Sequence, residues 1–136
     1  MTLVVDASVA IAWLDFEEGE PAEAALTRVE NEGAIVPSLW RLEIANVLRT
    51  AVRRKRIDEI FVTRSLARLE RLRIVIDAET DRHAWGETRR LSKRHDLTLY
   101  DAAYLELAIR RELPLASRND ELLAAARAAG VETVTE

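Results

Sequence analysis

The chain reads as an α/β protein, a three-layer α/β/α sandwich with a central, mainly parallel sheet of about five short strands. Short, wholly apolar runs alternate with segments of helical period, and strands apolar on both sides belong to a sheet covered on both faces. The 136 residues are 49% hydrophobic, enough to bury one domain-sized core. No repeat, linker or low-complexity stretch divides them, so residues 1–136 are read as a single domain.

Leu3-Val4-Val5 is an apolar, β-branched run that halts at Asp6, and ASVAIAWL behind it suits a short helix. Residues 20–32 are helix-like, with Pro21 in the first turn, Ala24, Ala25 and Val29 on one side, and Gly33 as the stop. Ala34-Ile35-Val36 is a second strand, closed by Pro37. Ser38 then caps a long helix over 39–54 with a core stripe of Trp40, Ile44, Val47, Leu48 and Ala51. Another helix spans 57–71, with Ile60, Leu66 and Leu69 among its apolar positions. Arg73-Ile74-Val75-Ile76 is a third strand, and a charged helix follows over 79–94. The next helix covers 99–112 and stops before Pro114. Pro114-Leu115-Ala116-Ser117 makes a fourth strand, 120–129 an Ala/Leu helix ended by Gly130, and 131–135 a last strand.

Composition excludes several classes of function. No window approaches the roughly 18 consecutive apolar residues of a membrane span. Met1 leads straight into a strand-like run without a basic leader or cleavage signal, so a soluble, cytoplasmic protein is expected. The absence of cysteine rules out disulfides, thiolate zinc sites and cysteine nucleophiles. His83 and His95 lie on a polar segment and read as exposed surface residues. Any metal site is therefore built from oxygen ligands, which suits Mg²⁺ or Mn²⁺. The net charge of −4 argues against a protein that coats nucleic acid through its overall field. Two local basic runs, RTAVRRKR over 49–56 and RRLSKR over 89–94, suit either a phosphate backbone or a solvated helix face.

Acids stand where apolar residues are expected. Advancing about 100° per residue from Asp101 puts Tyr104, Leu105, Ala108 and Ile109 within roughly 80° of it, so the carboxylate falls in the middle of an apolar stripe. A desolvated carboxylate there needs a partner. Thr98 and Asp101 have capping-box spacing, which supplies one structural reason for the acid. Asp6 ends the first strand, and in open α/β sheets chemistry gathers at the carboxyl ends of strands; Asp6 equally suits an N-cap, as does Ser8. Glu43 borders the core stripe at about 60° from Trp40, with Asn46 a turn away to orient it. Pairing with Arg49 or Arg54 is the plainer reading of Glu43. The turn Ser117-Arg118-Asn119-Asp120 closes the fourth strand, and Asn119 or Asp120 suits the cap of the last long helix.

Several carboxylates in one crevice repel unless a cation joins them. Mg²⁺ takes one or two carboxylates plus phosphate oxygens, and a pair of ions about 3.5–4 Å apart can hold both the attacking and the leaving oxygen of a phosphodiester. The chemistry expected is metal-assisted phosphoryl hydrolysis. Phosphatase and phospho-acceptor domains also place an aspartate after their first strand. LVVDAS carries neither an acidic pair before the aspartate nor a D-x-D, which sets those readings aside.

The segments VVDASVAIAWL, VPSLWRLEIANVL, LTLYDAAYLELA and LPLASRNDELLAAARAAGV resemble, in order and spacing, those of PIN-domain proteins, and the whole chain resembles a VapC-type toxin of a type II toxin–antitoxin pair. The resemblance implies a PIN fold, an endoribonuclease dependent on one or two Mg²⁺ or Mn²⁺ ions, and a homodimer. It also implies RNA as substrate and a small antitoxin that blocks the site and brings the complex to operator DNA. The family acids fall on Asp6, Glu43 and Asp101, as catalytic and metal-binding residues. Asn46 matches the asparagine after the second acid and Ser117 the small hydroxyl residue before the last site, with Ser8, Asn46 and Ser117 supporting the acids. At the fourth position the family has Ser/Thr-x-Asp. Here Asn119 holds the acid's place, with Asp120 one residue late, and both stand as metal-ligand candidates; an amide oxygen ligates a hard cation without neutralising its charge. Arg49, Arg53, Arg54 and Arg89 are the candidates for contact with RNA. A catalytically weak PIN scaffold that acts by partner binding is the alternative that Asn119 leaves open.

Overall fold

The computed structural model describes residues 3–16 and 22–135. Along the chain these form β1 (Val4–Val5), α1 (Ala7–Ala12), α2 (Glu23–Glu32), β2 (Ala34–Val36), α3 (Trp40–Arg53), α4 (Glu59–Glu70), β3 (Ile74–Ile76), α5 (Thr80–Ala84), α6 (Glu87–His95), α7 (Leu99–Arg111), β4 (Leu115–Ala116), α8 (Asp120–Ala128) and β5 (Thr133–Val134). The sheet order is β3-β2-β1-β4-β5, and every neighbouring pair is parallel. This is the expected α/β/α architecture with a five-stranded sheet.

The order places the site. From β1 the chain steps outward through β2 to β3 and returns to the other side of β1 for β4 and β5, so the winding reverses between β1 and β4. A crevice opens beyond the carboxyl ends of strands at such a reversal. Val5 pairs with Ala116 there, and the next residue on each strand is polar: Asp6 on one, Ser117 on the other. Leu3, Val4, Val5, Leu115 and Ala116 have no exposed surface, so the floor of the crevice is rigid core.

Local chemistry shapes the connections. Gly33 ends α2 at φ 78°, and a Cβ there would stand 2.9 Å from the carbonyl oxygen of Arg73, so only glycine lets β2 begin beside the entry to β3. The helix expected over 20–32 starts at Glu23, behind a left-handed Ala22; Glu20 and Pro21 lie outside the described residues. Asp58 caps α4 by accepting from the Phe61 N–H at 2.9 Å.

Four expectations need correction. Ser38 does not cap α3: the cap position is Leu39, which makes no side-chain bond, and the Ser38 N–H donates to Thr80 Oγ1 at 3.0 Å. The charged helix over 79–94 is broken into α5 and α6, because Gly86 adopts φ −103°, ψ −105°, far from helical values. α7 is buried on nearly every side from Ala102 to Ala108, whereas Ile109, expected in its core stripe, is 37% exposed. His83 and His95 are partly buried rather than exposed.

Burial of α7 includes a charge. Glu106 and Asp77 are both buried, and the fork of Arg110 lies between them. Its Nε donates to Glu106 Oε2 at 2.8 Å and its Nη2 to Asp77 Oδ2 at 2.6 Å. Burial raises the Asp77 carboxyl, but the hydrogen bonds and charge of Arg110, with bonds from Glu79 and Thr80, outweigh it and hold the group below its usual range. The network locks α7 to the loop that follows β3.

Candidate active site

Asp6 leaves β1 in extended conformation and caps α1, its Oδ1 accepting from the Val9 N–H at 3.2 Å. Capping and site chemistry are therefore both served by one residue. Ser8 Oγ donates to Asp6 Oδ1 at 2.5 Å, and Ser117 Oγ donates to Oδ2 at 2.5 Å. Each hydroxyl in turn accepts from the chain after β4: Ser8 Oγ from the Arg118 N–H at 3.1 Å, Ser117 Oγ from the Asn119 N–H at 2.9 Å. Two serines thus fasten the 117–119 turn to the acid. Burial pushes the Asp6 carboxyl up; the serine and Val9 bonds offset part of this, and the Asp101 charge adds to it.

Glu43 comes from the first turn of α3, and its Oε1 accepts from the phenol of Tyr104 on α7. Asn46 shares the cavity with it, but the orienting bond expected from Asn46 is made by Tyr104. Among the described residues Glu43 forms no ion pair with Arg49 or Arg54. Burial raises its carboxyl, the Tyr104 bond offsets part, and the charges of Asp101 and Asp6 raise it further.

Asp101 stands in the first turn of α7, where its N–H donates to Thr98 Oγ1 at 3.1 Å, one half of the expected capping box. Its Oδ2 accepts from Asn119 Nδ2 at 3.2 Å. Burial raises the Asp101 carboxyl and the Thr98 bond offsets part; the Glu121 charge adds, and the Asn119 amide offsets again.

Asn119 caps α8. Its Oδ1 accepts from the N–H groups of Glu121 at 2.9 Å and Leu122 at 3.2 Å. Those donors fix the amide with its oxygen toward the helix and its NH₂ toward Asp101. The oxygen expected to be open to a cation is thus occupied, and Asn119 positions Asp101 instead. Asp120 is exposed and does not line the cavity. The acid that does act on Asp101 from this turn is Glu121, which no motif in the sequence singled out.

Asp6, Glu43 and Asp101 line one cavity of about 530 Å³, with Ser8, Asn46, Tyr104 and Asn119 around them. Arg118 is the cation on its wall. It too escaped the sequence pattern, although it sits between Ser117 and Asn119. Arg49, Arg53 and Arg89 are exposed and line no part of this cavity; the Nε of Arg89 donates to the Trp85 carbonyl at 3.3 Å. Arg54 lines a neighbouring groove.

The donor set is one of hard oxygens. Among the described residues no three acidic or histidine side chains are gathered closely enough to enclose an ion by themselves. What is offered is one or two carboxylates, with the remaining positions left to water and phosphate oxygens, which is how Mg²⁺ is usually bound. The residues fit such an ion, whose charge would offset three carboxylates that burial disfavours.

The sequence model of the PIN domain matches residues 3–128. The chain belongs to the PIN-domain family. Among solved structures, this PIN domain is similar to the crystal structure of PAE2754 from Pyrobaculum aerophilum, with 26% identity and a TM-score of 0.72 over 98% of this chain and 90% of that one. No curated protein matches it. PIN domains are generally nucleases and usually bind divalent metals, so the fold is of nuclease type. Among the described residues no helix is long and apolar enough to cross a membrane.

Proposed function

We propose that this PIN domain is a Mg²⁺- or Mn²⁺-dependent endoribonuclease, the toxin of a type II toxin–antitoxin pair resembling the VapC type. The observation that carries the reading is the arrival of Asp6, Glu43 and Asp101 from β1, α3 and α7 at one cavity at the winding reversal, with Arg118 on its wall. The four sequence segments that resemble VapC-type proteins supply these residues.

A bound divalent ion supplies Lewis acidity and charge neutralisation at the scissile phosphate. Asp6 and Asp101 are the residues that hold it, each kept in place by its own hydrogen bonds: Asp6 by Ser8 and Ser117, Asp101 by Asn119. Glu43, oriented by Tyr104, takes the proton of the attacking water. Arg118 offsets phosphate charge. The proposal extends to a cytoplasmic homodimer whose site a cognate antitoxin covers, and which reaches operator DNA only through that antitoxin.

Incubating the purified chain with total cellular RNA, with Mg²⁺ or with EDTA, and mapping new 5′ ends tests the reading. Discrete cuts that EDTA abolishes support it; RNA left intact in both Mg²⁺ and Mn²⁺ overturns it. The occupied oxygen of Asn119 favours one second reading, a catalytically weak scaffold. That scaffold would bind its protein partner yet show no change in melting temperature with Mg²⁺ or Mn²⁺.

A further inference from the structure

The acid-lined cavity does not end at Asn46. Asn46 and Val47 also wall a second groove of about 210 Å³, completed by Phe16, Thr50, Arg54 and Arg56. The end of α3 explains how both arginines come to be there. Lys55 takes a left-handed φ of 59°, its N–H bonds the Val52 carbonyl at 2.9 Å, and the Arg56 N–H bonds the Ala51 carbonyl at 2.9 Å. This is the paired-bond reversal that commonly ends helices, and it folds Arg56 back against the last turn of α3. Arg56 Nη2 then donates to the Phe16 carbonyl at 3.3 Å, which holds the side chain at the groove. Among the described residues neither Arg54 nor Arg56 pairs with a carboxylate.

We infer that this groove is the subsite for the nucleotide next to the scissile bond of a single-stranded RNA, with its phosphate against Arg54 and Arg56. The inference rests on the nuclease reading and adds where the strand runs. A chain of net charge −4 with three acids at its site repels a polyanion, so RNA reaches those acids only where cations beside them offset its charge. Arginine forks match phosphate oxygens, and Phe16 and Val47 give an apolar wall for a base or ribose. Its continuity with the acids favours nucleic acid over an acidic peptide: a strand leaving the groove carries its next phosphodiester to the acid-lined cavity, where the nuclease reading needs one, whereas a peptide brings no such bond.

The test measures binding on an Asp101→Asn background, so that cleavage does not consume the probe. A fluorescent single-stranded RNA octamer is titrated by anisotropy in Mg²⁺ at several KCl concentrations. Arg54→Ala with Arg56→Ala is compared with Arg64→Ala with Arg127→Ala, which makes the same charge change outside both grooves. Binding should weaken at least tenfold in the first pair. The slope of log affinity against log salt should become shallower by about 0.7 for each phosphate that is no longer neutralised, and stay as in the parent for the second pair. Equal weakening in both pairs, or none in the first, overturns the subsite while RNA cleavage by the unsubstituted chain leaves the nuclease reading standing. If that chain neither binds nor cuts RNA, both fall. A glutamate octapeptide bound as tightly as the RNA, with the same dependence on Arg54 and Arg56, overturns the subsite in favour of an acidic segment.

Discussion

The phenol of Tyr104 hydrogen-bonds Oε1 of Glu43 across 61 positions of sequence, tying α7 to α3 at the wall of the acid-lined cavity. Burial and the Glu43 charge push the phenol's pKa far above its usual value, so it remains a donor at every working pH. The bond therefore fixes one carboxylate oxygen of a residue that lines the cavity. Tyr104→Phe should keep the packing, lose about 1 kcal/mol of stability, and slow cleavage about tenfold through misplacement of Glu43. Because the tyrosine bond offsets part of the rise that burial imposes on the Glu43 pKa, its loss should move the ascending limb of the pH–rate profile to higher pH. A limb that stays in place removes Glu43 from the proton-accepting role.

Stability of the metal-free protein should fall as pH rises toward neutral. Asp6, Glu43 and Asp101 all titrate above their ordinary values of 3.8, 4.5 and 3.8 in the folded state. Between those values and the folded ones the native state holds more protons than the unfolded chain, so stability declines as pH rises through the folded pKa values and levels off above them. Asp77 acts in the opposite sense: its stabilisation is present above 3.8 and lost as pH drops through its lowered folded value. Melting curves in EDTA should therefore show a maximum close to the ordinary carboxylate values of 3.8 to 4.5. Asp101→Asn should raise the melting temperature near neutral pH by a few degrees and flatten the decline while abolishing cleavage; an unchanged curve in that variant contradicts the crowding of the acids.

Divalent metal should reverse that decline. At a hundredfold excess over its dissociation constant, Mn²⁺ should add about 2.7 kcal/mol of stability. Titration calorimetry should find a single ion per chain, since Asn119 gives its oxygen to the α8 cap. Asn119→Asp keeps a good cap and brings a second carboxylate against Asp101. That variant should melt lower in EDTA and gain more from Mn²⁺ than the parent, with a stoichiometry rising toward two. Two ions in the parent protein would show that another acid, Glu121 foremost, completes the site.

Replacing Arg110 tests the buried network apart from the cavity. Arg110→Met leaves Asp77 and Glu106 buried without their cation, which should cost about 3–5 kcal/mol in urea denaturation. Arg110→Lys should restore only a part, because an ammonium cannot make both forked bonds. Cleavage per folded molecule should persist, as Arg110 does not line the cavity.

Much of the fold was legible because its signals are local. The runs before Asp6, Pro37 and Asp77 are too apolar and too short for anything but strands, buried in β1 and β2, whereas Val75 in the edge strand β3 is 46% exposed, and glycines or prolines punctuate most of the helices. Local signals also misled. Ser38 has the chemistry of a cap but lies inside a turn in which the Trp40 N–H bonds the Pro37 carbonyl at 3.1 Å, and the pattern over 79–94 runs smoothly through Gly86, where the backbone turns aside. The break at Gly86 depends on where α5 sits relative to α3 and α7, which no window of sequence reports.

By itself the sequence determined the α/β class, the exclusion of thiolate from any metal site, and three acids placed where a core or strand end wants apolar residues. Charge in an apolar setting is visible along one chain. The tertiary structure alone decided the partners: Tyr104 on Glu43, Ser8 and Ser117 on Asp6, the amide of Asn119 turned toward Asp101, and Arg118 and Arg54 near the cavity while Arg49, Arg53 and Arg89 lie elsewhere. Hydrogen bonds and short-range charge act over a few ångströms of space whatever the separation in sequence, and only the folded chain sets those distances.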